Sequence, residues 1–232
     1  MSIGKKYAEI KERKDKAAIT CGRKPDDVLL LAVTKTHTAE EINEAIDAGA
    51  TDIGENRVQE LLEKYDDVKP VNWHLIGHLQ TNKVKYIIDK VVMIHSVDSL
   101  HLAKEIDKRA YKAGINMDIL VEVNIGMEDS KSGVKPQDAI KLVKEIVTEC
   151  ENITVRGIMC IPPVGKTAEE TRMYFKKAAN IFEKIKKLDL PTGKATIDTL
   201  SMGMSGDFEM AVEEGSTIVR VGTAIFGART YK

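Results

Sequence analysis

Short apolar runs rich in β-branched residues recur along the chain, separated by segments whose apolar positions fall at helical spacing. The runs are VLLLAVT (28–34), TDIG (51–54), NWHLIG (72–77), VVMIHS (91–96), MDILVEVNI (117–125), ITVRGIMC (153–160), ATIDTLSMG (195–203) and STIVRVG (216–222). Most lack strict alternation, as expected of parallel strands covered by helices on their outer side. Between them lie AEEINEAIDAG, DSLHLAKEIDKRAYKAG and PQDAIKLVKEIVTE, and a glycine closes each of the first two, as a helix stop should. Strand–helix alternation predicts a parallel sheet with crossover helices. Eight such units in about 200 residues match the size of a (β/α)8 barrel. A doubly wound open sheet is the rival, but it has fewer strands and a glycine-rich turn after the first, where this chain has TKTHT. The expectation is an α/β fold: a single (β/α)8 TIM barrel as one domain over residues 1–232. The N-terminal stretch MSIGKKYAEIKERKDKAA adds a helix, packed outside the barrel or across its bottom.

Composition narrows the function classes. With 35 basic and 36 acidic residues the net charge is −1, which gives no global field to draw nucleic acid or an anionic membrane. No apolar run approaches the ~18 residues of a bilayer span, and the N-terminus has no apolar signal core. Cys21, Cys150 and Cys160 form no CxxC pair and suit neither a disulfide framework nor a metal site. His74 and His78 are four apart, but Gly77 and a strand end intervene, so helical metal geometry is not expected. A soluble, cytoplasmic chain follows as the default.

In such a barrel the chemistry sits at the C-terminal ends of the strands. Those ends carry Lys35; then Glu55, Asn56 and Arg57; His74 and His78; His95 and Ser96; Asn124; Met159; and finally SMGMSGD and RVGTAIFG. Lysine is rarely buried, and a strand-end lysine is ordinarily just solvated. Lys35, however, falls at the barrel mouth. Barrels frequently bind phosphate in the loops after strands 7 and 8, and here Ser205, Gly206, Gly222 and Thr223 supply small residues and hydroxyls. The plain alternative makes Ser205 a helix N-cap and Gly222 a turn residue. Arg220 stands among valines in TIVRVG and needs an acceptor: either an aspartate such as Asp198, or a ligand. Barrel closure makes strands 1 and 8 neighbours, bringing Lys35 and Arg220 together.

A lysine, an arginine and a phosphate cradle suit a phosphorylated carbonyl compound, which the lysine amine captures as a Schiff base. Two readings follow: a class I aldolase acting on a sugar phosphate, or a site for pyridoxal 5′-phosphate (PLP). An arginine facing the pyridine nitrogen keeps that nitrogen unprotonated, which disfavours extensive carbanion chemistry. Asn56 either reaches the ring or caps the next helix. His74, beside Trp73, reads as packing at the mouth or a secondary contact. Lys131 reads as solvated, with a second amine near the PLP aldehyde as the alternative.

The motifs AVTKTHTAEEI, DIGENRVQE, WHLIGHLQTNK, IHSVDSL, RGIMCI and LSMGMSGDFEMAVEEGSTIVRVGTAIFG occur in the order found in the pyridoxal phosphate homeostasis protein family. The chain resembles that family, relatives of the alanine racemase barrel, from about residue 5 to Arg229. The resemblance implies that Lys35 carries PLP as an internal aldimine and that Arg220 faces the pyridine nitrogen. It implies that Ser205, Gly206, Gly222 and Thr223 hold the phosphate, that Asn56 and His74 line the pocket, and that Met202 lies beside the ring. Alanine racemases bring a second base, a tyrosine, from an appended β domain and a dimer partner. This sequence stops at Lys232 soon after its eighth strand, so neither efficient racemisation nor that dimer is expected. The expected function is binding PLP and buffering or delivering it, with apo PLP-dependent enzymes as recipients and no robust catalysis. A slow PLP-dependent amino-acid racemase using Lys35 as base is the alternative.

Overall fold

In the computed structural model of the chain, residues 2–227 are described. The end of the family-like stretch at Arg229 lies outside the described residues. Eight parallel strands close into a barrel in chain order: β1 (Leu29–Val33), β2 (Asp52–Glu55), β3 (Asn72–Leu75), β4 (Met93–Val97), β5 (Met117–Val123), β6 (Ile153–Cys160), β7 (Ala195–Ser201) and β8 (Ile218–Val221). The seam closes with Leu31 of β1 paired to Arg220 of β8. Helix α1 (Ile3–Thr20) precedes the barrel. The crossovers are α2 (Ala39–Asp47), α3 (Val58–Lys64), α4 (Leu100–Ala113), α5 (Ala139–Glu149), α6 (Ala168–Lys186) and α7 (Phe208–Glu213), and α8 (Thr223–Phe226) follows β8. The crossover from β3 to β4 differs: it is a 3₁₀ turn over Thr81–Tyr86.

Of the two places open to the N-terminal helix, α1 takes the outer one, packing against α2, α7 and α8. Lys14 anchors it. This lysine is buried, and its ammonium donates to the carbonyls of Pro25 and Val28, each at 2.8 Å, fixing the chain as it enters β1. The other helices start where their sequences dictate. Thr38 with Glu41, and Thr167 with Glu170, form capping boxes at the heads of α2 and α6, satisfying amides that have no partner within the helix.

Two apolar layers hold the barrel. Between strands and helices lie fully buried side chains such as Ile53, Ile119, Val143, Phe175 and Phe208, each contributing roughly 1.5–3 kcal/mol by its burial. Inside the barrel, Leu31, Val33, Ile76, Met93, Leu120, Met159 and Ile218 form a separate stack. Gly157 marks an irregularity in β6, where the register to β5 and to β7 shifts. Its φ is +148°, and a Cβ there would stand 1.9 Å from the Thr199 carbonyl oxygen. Only glycine fits.

Candidate functional site

A cavity of about 290 Å³ opens at the C-terminal ends of the strands. Lys35, Asn56, Ser205, Gly206, Arg220, Gly222 and Thr223 all line it, together with His37, Ile76, Ile161 and Met204.

Lys35 is set by its neighbours on both sides. The Thr34 carbonyl accepts from the Lys64 ammonium at 3.1 Å, and the Thr36 N–H donates to Glu60 Oε2 at 2.9 Å. Both partners lie on α3, so that helix grips the turn before and after the lysine. Beneath it, buried Glu55 accepts from the Thr34 hydroxyl (2.7 Å) and from Lys64 (2.8 Å) through the same oxygen. Burial raises the Glu55 carboxyl pKa even against the pull of Lys64. Thr36 has φ +67°, a region that a β-branched residue occupies only at a cost of roughly 1–3 kcal/mol. The backbone is strained beside the candidate lysine.

Asn56 follows β2 and is backed by Gly77, where a Cβ would fall 2.4 Å from the Asn56 carbonyl oxygen. Arg57, not Asn56, occupies the N-cap position of α3. Ser205 is likewise not the N-cap residue of α7. Asp207 is the N-cap residue of α7, while the Ser205 hydroxyl accepts from the Ala224 N–H at 3.2 Å. The loops after β7 and β8 are thus fastened to each other. Gly222 packs against β1, with its Cβ position 3.2 Å from the Val33 carbonyl oxygen.

Arg220 is 4% exposed. It donates to the Ser201 hydroxyl at 2.6 Å and to the Cys160 carbonyl at 3.0 Å. Burial lowers its pKa, while Cys160, Glu122 and Asp207 pull it back up. The expected internal alternative, Asp198, is engaged elsewhere: both of its carboxylate oxygens accept from Arg156.

Two expectations need correcting. His74 does not line the mouth. It lies toward the other end of the barrel, where it borders a second cavity of about 550 Å³ with Arg23, Asp27, Arg156 and Asp198. The reason is height: β3 runs on past His74 through Leu75, and Ile76 is the residue on that segment that reaches the mouth cavity. His74 is held between Asp52 Oδ1 (3.0 Å) and His95 Nε2 (2.9 Å). Met202 is fully buried in the outer core. Past Gly203, at φ +93°, it is Met204 that faces the cavity. Lys131 is absent from the lining and is tied to Glu128 and to the Pro162 carbonyl.

His37 and Met204 were missed from sequence. His37 stands two residues beyond Lys35 in the same turn, its ring stacked 4.7 Å from that of Phe226. Adjacency to Lys35 and to Ser205 was the available signal. Among the described residues, no group of three or more His, Cys, Asp or Glu is placed to hold a metal ion, and no helix is long and apolar enough to cross a membrane.

Residues 11–230 match the family described as alanine racemase, N-terminal domain. The chain is 44% identical over 233 residues to the pyridoxal phosphate homeostasis protein of Aquifex aeolicus (strain VF5), covering 100% of both chains. A crystal structure of an unknown protein from Bifidobacterium adolescentis superposes with a TM-score of 0.89 at 38% identity, covering 96% of this chain and 94% of that one. PipY of Synechococcus elongatus PCC7942, solved with PLP bound, gives a TM-score of 0.83 at 33% identity, covering 97% and 100%. With a closed barrel in chain order, a lysine and an arginine at its mouth, and relatives matched along their whole length, this chain belongs to the pyridoxal phosphate homeostasis protein family, within the alanine racemase N-terminal domain family.

Proposed function

We propose that the mouth cavity binds PLP and that the protein stores the cofactor and hands it on. The observation that carries this reading is the meeting of Lys35 and buried Arg220 in one cavity beside two joined loops. The residues fit the group. Arg220 has five N–H donors, and its hydrogen bonds among the described residues go to Ser201 and Cys160, which leaves donors for a ring nitrogen. A Cβ at Gly206 would meet nothing within 4 Å, so that loop leaves room beside its amides for a phosphate. Ser205, Gly222 and Thr223 complete the cradle, and Asn56 borders the ring.

PLP supplies an aldehyde that an amine can capture and a ring that withdraws electrons from what is attached to it. Lys35 holds the group through Nζ. Arg220 does not give up its proton, so a ring nitrogen facing it stays unprotonated and the electron withdrawal stays weak. That favours holding over transforming. The name of the Aquifex relative and the PLP bound to PipY support the same reading. The protein acts as a cytoplasmic, single-domain monomer, and its recipients are apo PLP-dependent enzymes.

The test is the visible spectrum of the protein incubated with PLP, before and after borohydride. The expected result is a band lost on reduction, with the added mass on the peptide containing Lys35 and no such mass in Lys35→Ala. No band, or a label that persists in Lys35→Ala, overturns the PLP reading. Interconversion of D- and L-amino acids that disappears in Lys35→Ala would overturn storage in favour of a racemase. PLP transfer to an apo-enzyme without such turnover supports it.

A further inference from the structure

Behind Arg220 a line of buried polar side chains crosses the barrel interior. Arg220 donates to the Ser201 oxygen (2.6 Å), Ser201 meets His95 Nδ1 (3.1 Å), His95 Nε2 meets His74 Nδ1 (2.9 Å), and His74 Nε2 meets Asp52 Oδ1 (3.0 Å). Ser201 and His95 are fully buried and His74 is 3% exposed. The line draws on β8, β7, β4, β3 and β2 in turn and ends beside the second cavity.

The chemistry of the two ends fixes the terminal links, and two neutral imidazoles fix the links between them. A guanidinium only donates and a carboxylate only accepts. With neutral rings, His74 donates from Nε2 to Asp52 and accepts at Nδ1. His95 must then donate from Nε2 and accept at Nδ1. That acceptor takes the Ser201 hydroxyl proton, so the Ser201 oxygen offers its lone pairs to Arg220. One arrangement with both imidazoles neutral satisfies all four bonds. Burial, and after it the positive charge of Arg220, favours neutral His95. At the far end, burial raises the Asp52 carboxyl pKa, but hydrogen bonds from His74, Thr51 and Asn72 outweigh it and favour the carboxylate.

We propose that Ser201, His95, His74 and Asp52 are positioning residues: a one-way hydrogen-bonded line that fixes the orientation of Arg220 toward the cofactor ring. The inference rests on the PLP reading above for its effect on binding, but not for its direction. Cys160, Glu122 and Asp207 bear on Arg220 from β6, β5 and the loop before α7. None of these three supplies a carboxylate hydrogen bond to it among the described residues, so Ser201 is the side chain that locates the guanidinium.

Two measurements test it. In the ligand-free protein, ¹⁵N spectra of the imidazoles at neutral pH report the tautomers without any cofactor. The expected result is the Nε2–H form for both His74 and His95. An Nδ1–H form or a cation at either ring overturns the proposed direction. PLP titrations of Ser201→Ala and of His95→Gln then read the positioning role. About a tenfold loss of affinity is expected in each, the scale of one hydrogen bond to a charged group. The band of bound PLP should shift the same way in both, and the double variant should be no worse than either single, because a broken line is broken once. Affinity within about twofold of the parent, with an unmoved band and attachment still at Lys35, sinks the positioning role and leaves the PLP site standing. Failure of the parent to take PLP at Lys35 sinks the site instead, and the tautomers still decide the direction.

Discussion

Glu122 on β5 provides a measurement that needs no ligand. Burial first, and then the neighbouring Asp98, push its carboxyl from the ordinary 4.5 to about 7, with Arg220 pulling the other way. Its Oε2 is buried without a hydrogen-bond partner among the described residues. Between those two pH values the unfolded chain has lost this proton and the folded protein keeps it. Stability therefore falls as pH rises through that window, and above it the ionised side chain costs about 3 kcal/mol. Glu122→Gln keeps the shape and removes the ionisation. The variant should gain on the parent by about 2.5 kcal/mol more at pH 8 than at pH 5. For a chain of this size that is roughly 5–10 °C in melting temperature. Urea or thermal unfolding of both proteins at the two pH values measures it. His95, which is held neutral and loses stability as pH falls below its ordinary value, contributes equally to both proteins and drops out of the comparison. A gain at pH 8 no larger than at pH 5 would refute the argument that burial holds this proton.

Two further substitutions test the scaffold around the site. Lys64→Met removes the ammonium that bridges Glu55 and the Thr34 carbonyl; a loss of about 3–5 kcal/mol in urea unfolding is expected, with Lys64→Met/Glu55→Gln recovering part of it. Gly157→Ala drives a Cβ into the Thr199 carbonyl and should cost more than about 3 kcal/mol; a melting curve matching the parent would mean that β6 accepts a side chain there.

The strands were legible because their signal is local. ITVRGIMC matches β6 end to end, and the other seven runs contain their strands with one or two residues of overhang at an end, apart from β2 and β4, each of which ends one residue beyond its run. Closure, and with it the meeting of Lys35 and Arg220 in one cavity, followed from counting to eight. Height along the barrel axis was not legible. His74 and Ile76 both belong to the run NWHLIG, yet they border opposite cavities, and hydrophobic pattern carries no measure of strand stagger. Met204 lines the cavity in place of Met202 because the backbone turns at Gly203. Arg220 was recognised as needing a partner, but the partner lies across β7 and is a hydroxyl, a contact between residues 19 apart that no spacing rule encodes. The β3–β4 crossover carries no helical period, in keeping with its 3₁₀ form.

The line from Asp52 to Arg220 also limits how such a barrel can change over generations. Each interior member is both a donor and an acceptor whose orientation is dictated by the next. Replacing one by an apolar residue leaves two neighbours buried with unmet bonds, the costly half of hydrogen-bond energetics. Replacing several together by a packed apolar plug removes the unmet bonds at once. Single steps therefore run downhill while the combined step need not, so these positions should drift as a block. Lineages that carry a histidine at one of the two ring positions and a leucine at the other should be rare, and a barrel that has crossed to the apolar arrangement should have no short route back.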